Sequence, residues 1–364
     1  MMRRATKRRV RLFLRLLFLG TLTGVVYQIS LALVFFSGFI VPRILVGVIG
    51  GASMTAPIAA MELFLLRSSR WGRHLKEAPF LVMFGVKWLV YGLVITAVVA
   101  GQPGARVAGL KPGAPLQTPT ARLSVLFSFA AALAFLLIFE ISQIVGARNL
   151  RNIVLGRYHR PRIEERFFLF VDIAGSTSLA ERLGPVAVHR FLGNVFRLAS
   201  DPIGDYHGEI YQYVGDEIVA TWTVADARTD ARPIACFFAI VAALEDATPE
   251  FEREFGVAPW LRAALHAGRV ICGEVGEIKR DIVFHGDVMN TAARLEQATR
   301  DLDRSFLASA DALSRLAGVE QYTLEPLGPQ RLRGRAAPIE VYAVGAGIGA
   351  ARAGGSASPL LTRK

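Results

Sequence analysis

The chain has 364 residues, 52% of them hydrophobic, with a mean hydropathy of +0.39 and a formal charge of +12. That length holds one membrane region plus one ordinary soluble domain, and that hydropathy argues against a wholly soluble protein. The Lys and Arg residues cluster in the N-terminal tail and beside apolar stretches, so anionic lipid, not nucleic acid, is the expected partner of the charge.

A basic tail over residues 1–15 (Arg3, Arg4, Lys7, Arg8, Arg9, Arg11, Arg15) precedes an apolar run from Leu16 to Phe39. This exceeds the roughly 20 residues that cross a bilayer, and its length argues against a cleaved signal peptide. Further apolar runs from Ile44 to Leu66, Phe80 to Ala100 and Leu123 to Val145 predict about four transmembrane helices within residues 16–146. Cations concentrate in the tail, in the loop holding Arg67, Arg70, Arg73 and Lys76, and after the fourth run at Arg148, Arg151, Arg157, Arg160 and Arg162. The opposite loops offer only Arg43 in one case and Arg106 and Lys111 in the other. The positive-inside bias therefore predicts a multi-pass protein of the inner (plasma) membrane with both termini cytoplasmic. The outer segment from Gly101 to Pro119 is too short for a ligand-binding domain, so a signal would enter through lipid, within the membrane or from a partner protein. Glu62 and Glu140 fall near the cytoplasmic ends of their spans. An intramembrane carboxylate is a functional candidate, but snorkelling or pairing with a neighbouring Arg is the expectation here.

Residues 147–166 form a basic connector, and the next 180 residues alternate short β-rich runs with helical patterns up to residue 346; a flexible tail is expected over 347–364. Phe167 to Asp172 reads as a buried strand, Ser176 to Leu183 and Pro185 to Ile203 as helices, and Glu209 to Val214 with Glu217 to Trp222 as a hairpin closed by Gly215-Asp216. A helix from Ala231 to Glu254, strands Trp260 to Ala267 and Val270 to Glu274, and a helix from Val288 to Ala298 complete a ferredoxin-like α+β pattern. Cys236 and Cys272, both in apolar or Gly-rich contexts, are expected to be buried, inert thiols in a reducing compartment. Asp172 and Asp216 both stand where strands end. Side by side they could hold Mg²⁺ against phosphate oxygens; taken singly, Asp172 could cap the following helix and Asp216 could serve the turn.

Four motifs in order resemble class III adenylate/guanylate cyclases of the membrane-anchored bacterial type: F-V-D-I-A-G-S-T (Phe170 to Thr177), Y-Q-Y-V-G-D-E (Tyr211 to Glu217), H-G-D-V-M-N-T-A-A-R-L-E (His285 to Glu296) and L-R-G (Leu332 to Gly334) before Pro338. The last is similar to the family's closing phosphate-contact strand. The resemblance implies a cyclase catalytic domain over residues 167–346, working as a head-to-tail homodimer with active sites at the interface. It assigns Asp172, Asp216 and the backbone of Ile173 to two Mg²⁺ (or Mn²⁺) ions, and Gly175, Ser176 and Thr177 to the triphosphate. Asn290 and Arg294, one helical turn apart, would orient the ribose and stabilise the α-phosphoryl charge. Arg333 stands where the family usually has a phosphate-binding Lys. Gln212 and Val283 occupy the base-selecting positions, where adenylate cyclases carry Lys and Asp or Thr, so the Lys-type pairing is gone. The expected reaction is ATP to 3′,5′-cyclic AMP and pyrophosphate in intracellular signalling, under a membrane-borne or lipophilic regulator. The alternatives are a cyclase of GTP or a pyrimidine triphosphate, and a silent nucleotide-binding module.

Overall fold

Among the described residues, four helices near the start of the chain are long and apolar enough to cross a membrane, with apolar spans Arg9–Val34, Pro42–Phe64, Leu81–Gly101 and Arg122–Ser142. The computed structural model describes residues 4–35, 40–65, 78–101, 103, 119–278, 280–333, 335 and 337–347. The cations at Arg67, Arg70, Arg73, Lys76, Arg106 and Lys111, most of the Gly101 to Pro119 segment, Gly334 and residues 348–364 lie outside the described residues. The chain divides into two units, residues 1–144 and 145–364.

In the first unit, α1 (Arg4–Phe35) and α2 (Ile40–Ala60) form an antiparallel hairpin; α3 (Phe80–Gly101) and α4 (Pro119–Val145) follow. The basic tail is helical from Arg4 and continuous with the first span, where the sequence separates them at Leu16. Gly20 and Gly24 of α1 meet Gly51 and Gly47 of α2 backbone to backbone. A Cβ on Gly24 would stand 2.4 Å from the Gly47 carbonyl oxygen, and one on Gly51 would stand 2.5 Å from that of Gly20. In a bilayer, where lipid offers no hydrophobic drive between helices, such close approach through small residues would supply the packing. The end of α2 widens into a π-helical turn, Met61–Leu65, four residues after Pro57.

The second unit begins with α5 (Ala147–Val154) and β1 (Arg162–Ile173), followed by α6 (Ser176–Leu183), α7 (Pro185–Asp205), β2 (Glu209–Val214), β3 (Glu217–Thr223), α8 (Arg232–Phe255), β4 (Leu261–Val275), β5 (Asp281–His285), α9 (Asp287–Asp301), β6 (Phe306–Ser309), β7 (Thr323–Gln330) and β8 (Ile339–Gly345). The sheet runs β2-β3-β1-β4-β6-β8-β7, with β5 added along the far half of β4. Its β2-β3-β1-β4 core, with α7 and α8 as crossovers, is the ferredoxin-like order. The expected connector, residues 147–166, thus lies within the second unit. Arg148 of α5 is salt-bridged to Glu209 at 2.5 Å and Asp226 at 2.9 Å, and β1 starts five residues before Phe167.

β1 is the central strand and is buried on both faces, which is why F-F-L-F-V reads as an uninterrupted apolar run. Phe167, Leu169 and Val171 enter a core with Phe191, Val195 and Phe237, while Phe168 and Phe170 enter another with Val219, Val288 and Ala292 of α9. One sequence expectation fails here. The two strands expected around Gly268-Arg269 are a single 15-residue strand, paired to β1 from Leu261 to Cys272. Gly268 breaks nothing; it lets α9 close on the sheet, since a Cβ there would lie 2.7 Å from Val288 Cγ2. Both cysteines are free and buried, and burial pushes each thiol up, Cys272 to about 12.

Candidate active site

The register of β1 on β3 places Asp172 opposite Glu217, directly after the Gly215-Asp216 turn. Asp172 and Asp216 thereby come within hydrogen-bonding reach of each other. Asp172 does not cap the next helix: the N-cap of α6 is Gly175, at φ 75°, with no side-chain cap, so the first-turn N–H groups of Ser176 and Thr177 remain open to an anion. Ile173 ends β1 with its side chain in the core, leaving only its backbone for a ligand.

Two further carboxylates join the pair. Glu217 and Glu296 of α9 are largely buried, and each has a buried Oε1 without a hydrogen-bond partner among the described residues. Burial first, and then the charges of Glu296 and Asp216, push Asp172 up to about 7. Burial and the charges of Glu296, Asp172 and Asp216 push Glu217 up to about 8, and burial raises Glu296. Among the described residues no three His, Cys, Asp or Glu side chains close into a metal cage. Mg²⁺ needs no such cage, since one or two carboxylates plus substrate phosphates suffice. Buried carboxylates with orphaned oxygens, too crowded to ionise together, fit a divalent cation.

Arginines border the carboxylates. Arg300, one turn beyond Glu296, donates from Nη2 to Asp172 Oδ2 at 2.9 Å. Arg262 stands opposite Asp172 on β4, with its guanidinium carbon 4.8 Å from the centre of the Trp260 ring. Sequence reasoning missed Glu217, Glu296, Arg262 and Arg300. The Asp216-Glu217 doublet and the four-residue spacing of Glu296 and Arg300 were the available signals.

The other expected residues gather elsewhere. Asn290 and Arg294 lie on α9 about 120° around the axis from Glu296 and Arg300, at roughly 100° per residue. Asn290 is exposed and Arg294 half-buried. Gln212 on β2 is exposed and Val283 on β5 half-buried; their neighbours Tyr211 and Phe284 bring the two strands together, ring centres 4.8 Å apart. Arg333 is exposed and lies in a turn between β7 and β8, not in the strand the family resemblance implied. That turn is anchored on α9 by Arg335, which donates to Thr291 Oγ1 at 2.8 Å and is salt-bridged to Asp287 at 3.5 Å. Asp172 follows Phe168 and Phe170 in the strand alternation and so stands on the sheet face that α9 covers, while on α9 itself Asn290 and Arg294 turn away from Glu296 and Arg300.

Carboxylates fit for metal, flanking arginines and an open helix N-terminus on this sheet are the parts that phosphoryl transfer needs, in the order in which the class III cyclase motifs run. Residues 159–346 match the family described as Adenylate and Guanylate cyclase catalytic domain, and the chain belongs to that family: it is a nucleotide cyclase. Adenylate cyclase 2 of Rhizobium meliloti (strain 1021) is 34% identical over 83% of this chain and 84% of its own length. Adenylate cyclase 1 of the same strain is 30% identical over 51% of this chain and 28% of its own length. A solved bacterial light-regulated adenylyl cyclase is 27% identical over 50% of this chain and 91% of that chain, with a TM-score of 0.44.

Proposed function

We propose that the protein is a membrane-anchored adenylate cyclase that forms 3′,5′-cyclic AMP and pyrophosphate from ATP at the interface of a homodimer. The observation that carries the reading is the meeting of Asp172 and Asp216 at the end of β1, ringed by partnerless carboxylate oxygens and arginines. The naming of the relative that covers most of this chain favours ATP. The turn of Asn290 and Arg294 away from Glu296 and Arg300 around α9 favours a second copy, which would present its Asn290, Arg294 and Arg333 to the first copy's carboxylates. The four spans favour an anchor in the bilayer, and the cation bias favours a cytoplasmic domain.

Asp172, Asp216 and the Ile173 backbone would hold two Mg²⁺ ions, whose charge supplies Lewis-acid stabilisation of the phosphoryl oxygens and a more acidic ribose 3′-hydroxyl. The open N–H groups at Gly175 to Thr177 receive the β- and γ-phosphates, with Arg262 and Arg300 at the rim and Arg333 from the second copy. Asn290 orients the ribose. Arg294 neutralises charge that grows on the α-phosphoryl oxygens as the 3′-oxygen attacks and pyrophosphate leaves. Gln212 offers the base both a donor and an acceptor, whereas Val283 offers neither, which is the specific ground for the second reading, a cyclase of GTP or a pyrimidine triphosphate.

The test supplies full-length protein with Mg²⁺ or Mn²⁺ and, separately, ATP, GTP, CTP and UTP, resolving cyclic products by mass spectrometry beside Asp172→Ala and Asp216→Ala. Cyclic AMP that disappears in both variants is expected. Another cyclic nucleotide moves the substrate and keeps the chemistry, whereas no product from any triphosphate refutes the enzyme reading.

A further inference from the structure

Two clusters of buried charge lie outside the carboxylate site. In the membrane unit Glu62 and Glu140 both meet Lys87 of α3 among the described residues, at 3.0 and 2.5 Å. In the cyclase domain the centre is Arg166 of β1, 2% exposed. Its Nε donates to Glu164 Oε2 at 3.0 Å and its Nη1 to Thr221 Oγ1 at 3.4 Å, while Nη2 stands 3.5 Å from Glu209 Oε1. Each carboxylate has a second cation, Arg157 at 3.1 Å from Glu164 and Arg148 at 2.5 Å from Glu209. All three guanidinium nitrogens of Arg166 thus have partners, and the face of the group is covered too: Cζ lies 4.7 Å from the centre of the Phe284 ring.

Phe284 belongs to β5, which pairs with β4 and no other strand among the described residues. In the sheet, β3, β1 and β4 stand between β5 and β2. No backbone ladder joins β2 to β5 there, so their spacing depends on side chains that cross the face. Tyr211 is the extra residue of a bulge in β2, where the register on β3 slips between Ile210 and Gln212. Its ring reaches Phe284, 4.8 Å centre to centre, and its hydroxyl is hydrogen-bonded to the Phe284 backbone. Arg166 meets the same ring from β1. Strand alternation puts it on the face of Phe168, whose own ring is 5.5 Å from that of Phe284. A buried ion cluster adds little stability that well-packed apolar side chains would not, so an arginine here needs another ground. An apolar residue would leave the Phe284 ring without its charged backing. A lysine would keep the charge, but it has no planar face to stack and no fork to hold both carboxylates.

We propose that Arg166 is a positioning residue for recognition of the nucleotide base. By fixing Phe284 against Tyr211 it sets the spacing between their chain neighbours Val283 and Gln212, and so the fit of the base between β5 and β2. It acts through those two rings, without a contact of its own to the base. The inference rests on the reading of Gln212 and Val283 as the base-selecting pair.

The test separates the base from the phosphates. Full-length protein in detergent, with Mn²⁺, is titrated calorimetrically with 3′-deoxy-ATP, 3′-deoxy-GTP and inorganic triphosphate; the first two have no 3′-hydroxyl to cyclise and the third has no base. Arg166→Met and Arg166→Lys should each bind the tighter of the two nucleotides at least about fivefold more weakly than the wild type does, the scale of one buried cation–ring contact, with inorganic triphosphate unchanged. Phe284→Leu, which leaves the ion pairs of Arg166 in place, should do the same and keeps the test decisive if an Arg166 variant fails to fold. Wild-type binding by Arg166→Lys would show that charge alone is used and would overturn the proposal, as would equal weakening of nucleotide and inorganic triphosphate. Gln212→Ala tells the positioning role from the reading beneath it. Base-dependent affinity lost in Gln212→Ala but kept in the Arg166 and Phe284 variants refutes the positioning role alone, whereas affinity kept in Gln212→Ala overturns both.

Discussion

His266 should make the catalytic domain acid-sensitive through one buried imidazole. It lies in the middle of β4, 4% exposed, and its Nδ1 shares a 2.7 Å hydrogen bond with Ser309 Oγ at the end of β6. Burial holds its pKa down at about 4, against an ordinary value of 6.5. Between those values the unfolded chain binds a proton that the folded one refuses, so stability is full above about 6.5 and falls as pH drops toward 4. Two and a half pH units at 1.36 kcal/mol each give about 3 kcal/mol lost by this residue between pH 7 and pH 4. Other groups titrate in the same range, so the quantity to measure is a difference. Urea unfolding of residues 145–364, followed by the fluorescence of Trp222 and Trp260, is compared at pH 7 and pH 4 for the wild type and for His266→Gln. The wild type should lose about 3 kcal/mol more than the variant over that interval. Equal losses would refute the reasoning, because they would mean that the imidazole is protonated in the fold at no cost.

Gly24→Leu should force the α1–α2 hairpin apart, since its Cβ would start 2.4 Å from a backbone carbonyl, whereas Gly50→Leu, with nothing within 4 Å of its Cβ, should be neutral. Thermal denaturation in detergent should show a loss of about 1–3 kcal/mol for the first alone. Arg300→Ala should free Asp172 for metal and raise Mn²⁺ affinity, read by electron paramagnetic resonance, roughly fivefold, which is the scale of a half-exposed ion pair. Gln212→Lys with Val283→Asp should move the ATP-to-GTP ratio of kcat/KM at least about tenfold towards ATP, because it replaces an unpaired base edge with a complementary pair.

The order of elements was legible because each carries its own period. The central strand has a continuous apolar run, the hairpin has Gly-Asp between two alternating segments, and each span is a predominantly apolar run of more than 20 residues. What misled was local chemistry judged without its surroundings. Gly268 reads as a strand break, yet it marks the close approach of α9. The basic residues of 147–166 read as a juxtamembrane linker, although Arg148 is held by acids of the domain and Arg166 is a buried partner of Glu164. Lys87 drew no attention inside an apolar run, because its two carboxylate partners lie 25 and 53 residues away in the chain.

The site was half legible for a similar reason. Each motif names residues close together in sequence, while the chemistry depends on what converges from different elements. The family resemblance names Asp172, Asp216, Asn290 and Arg294 and already divides them between two copies of the chain, but it does not say how α9 is turned against the carboxylates. Helix α9 turns Glu296 and Arg300 toward Asp172 and turns Asn290 and Arg294 about 120° away, an angle fixed by helix geometry. No rotamer of a four-carbon side chain on that helix reverses its face. On that ground the homodimer is proposed: a second copy would bring its own α9, with Asn290 and Arg294, to the first copy's carboxylates. It also predicts how inactive variants behave: Asp172→Ala and Arg294→Ala, each inactive alone, should restore activity when mixed, to about one quarter of the wild type if the chains pair at random and one of the two interfacial sites survives in each mixed dimer. Mixing that restores nothing would place both groups in one chain's site and refute the shared one.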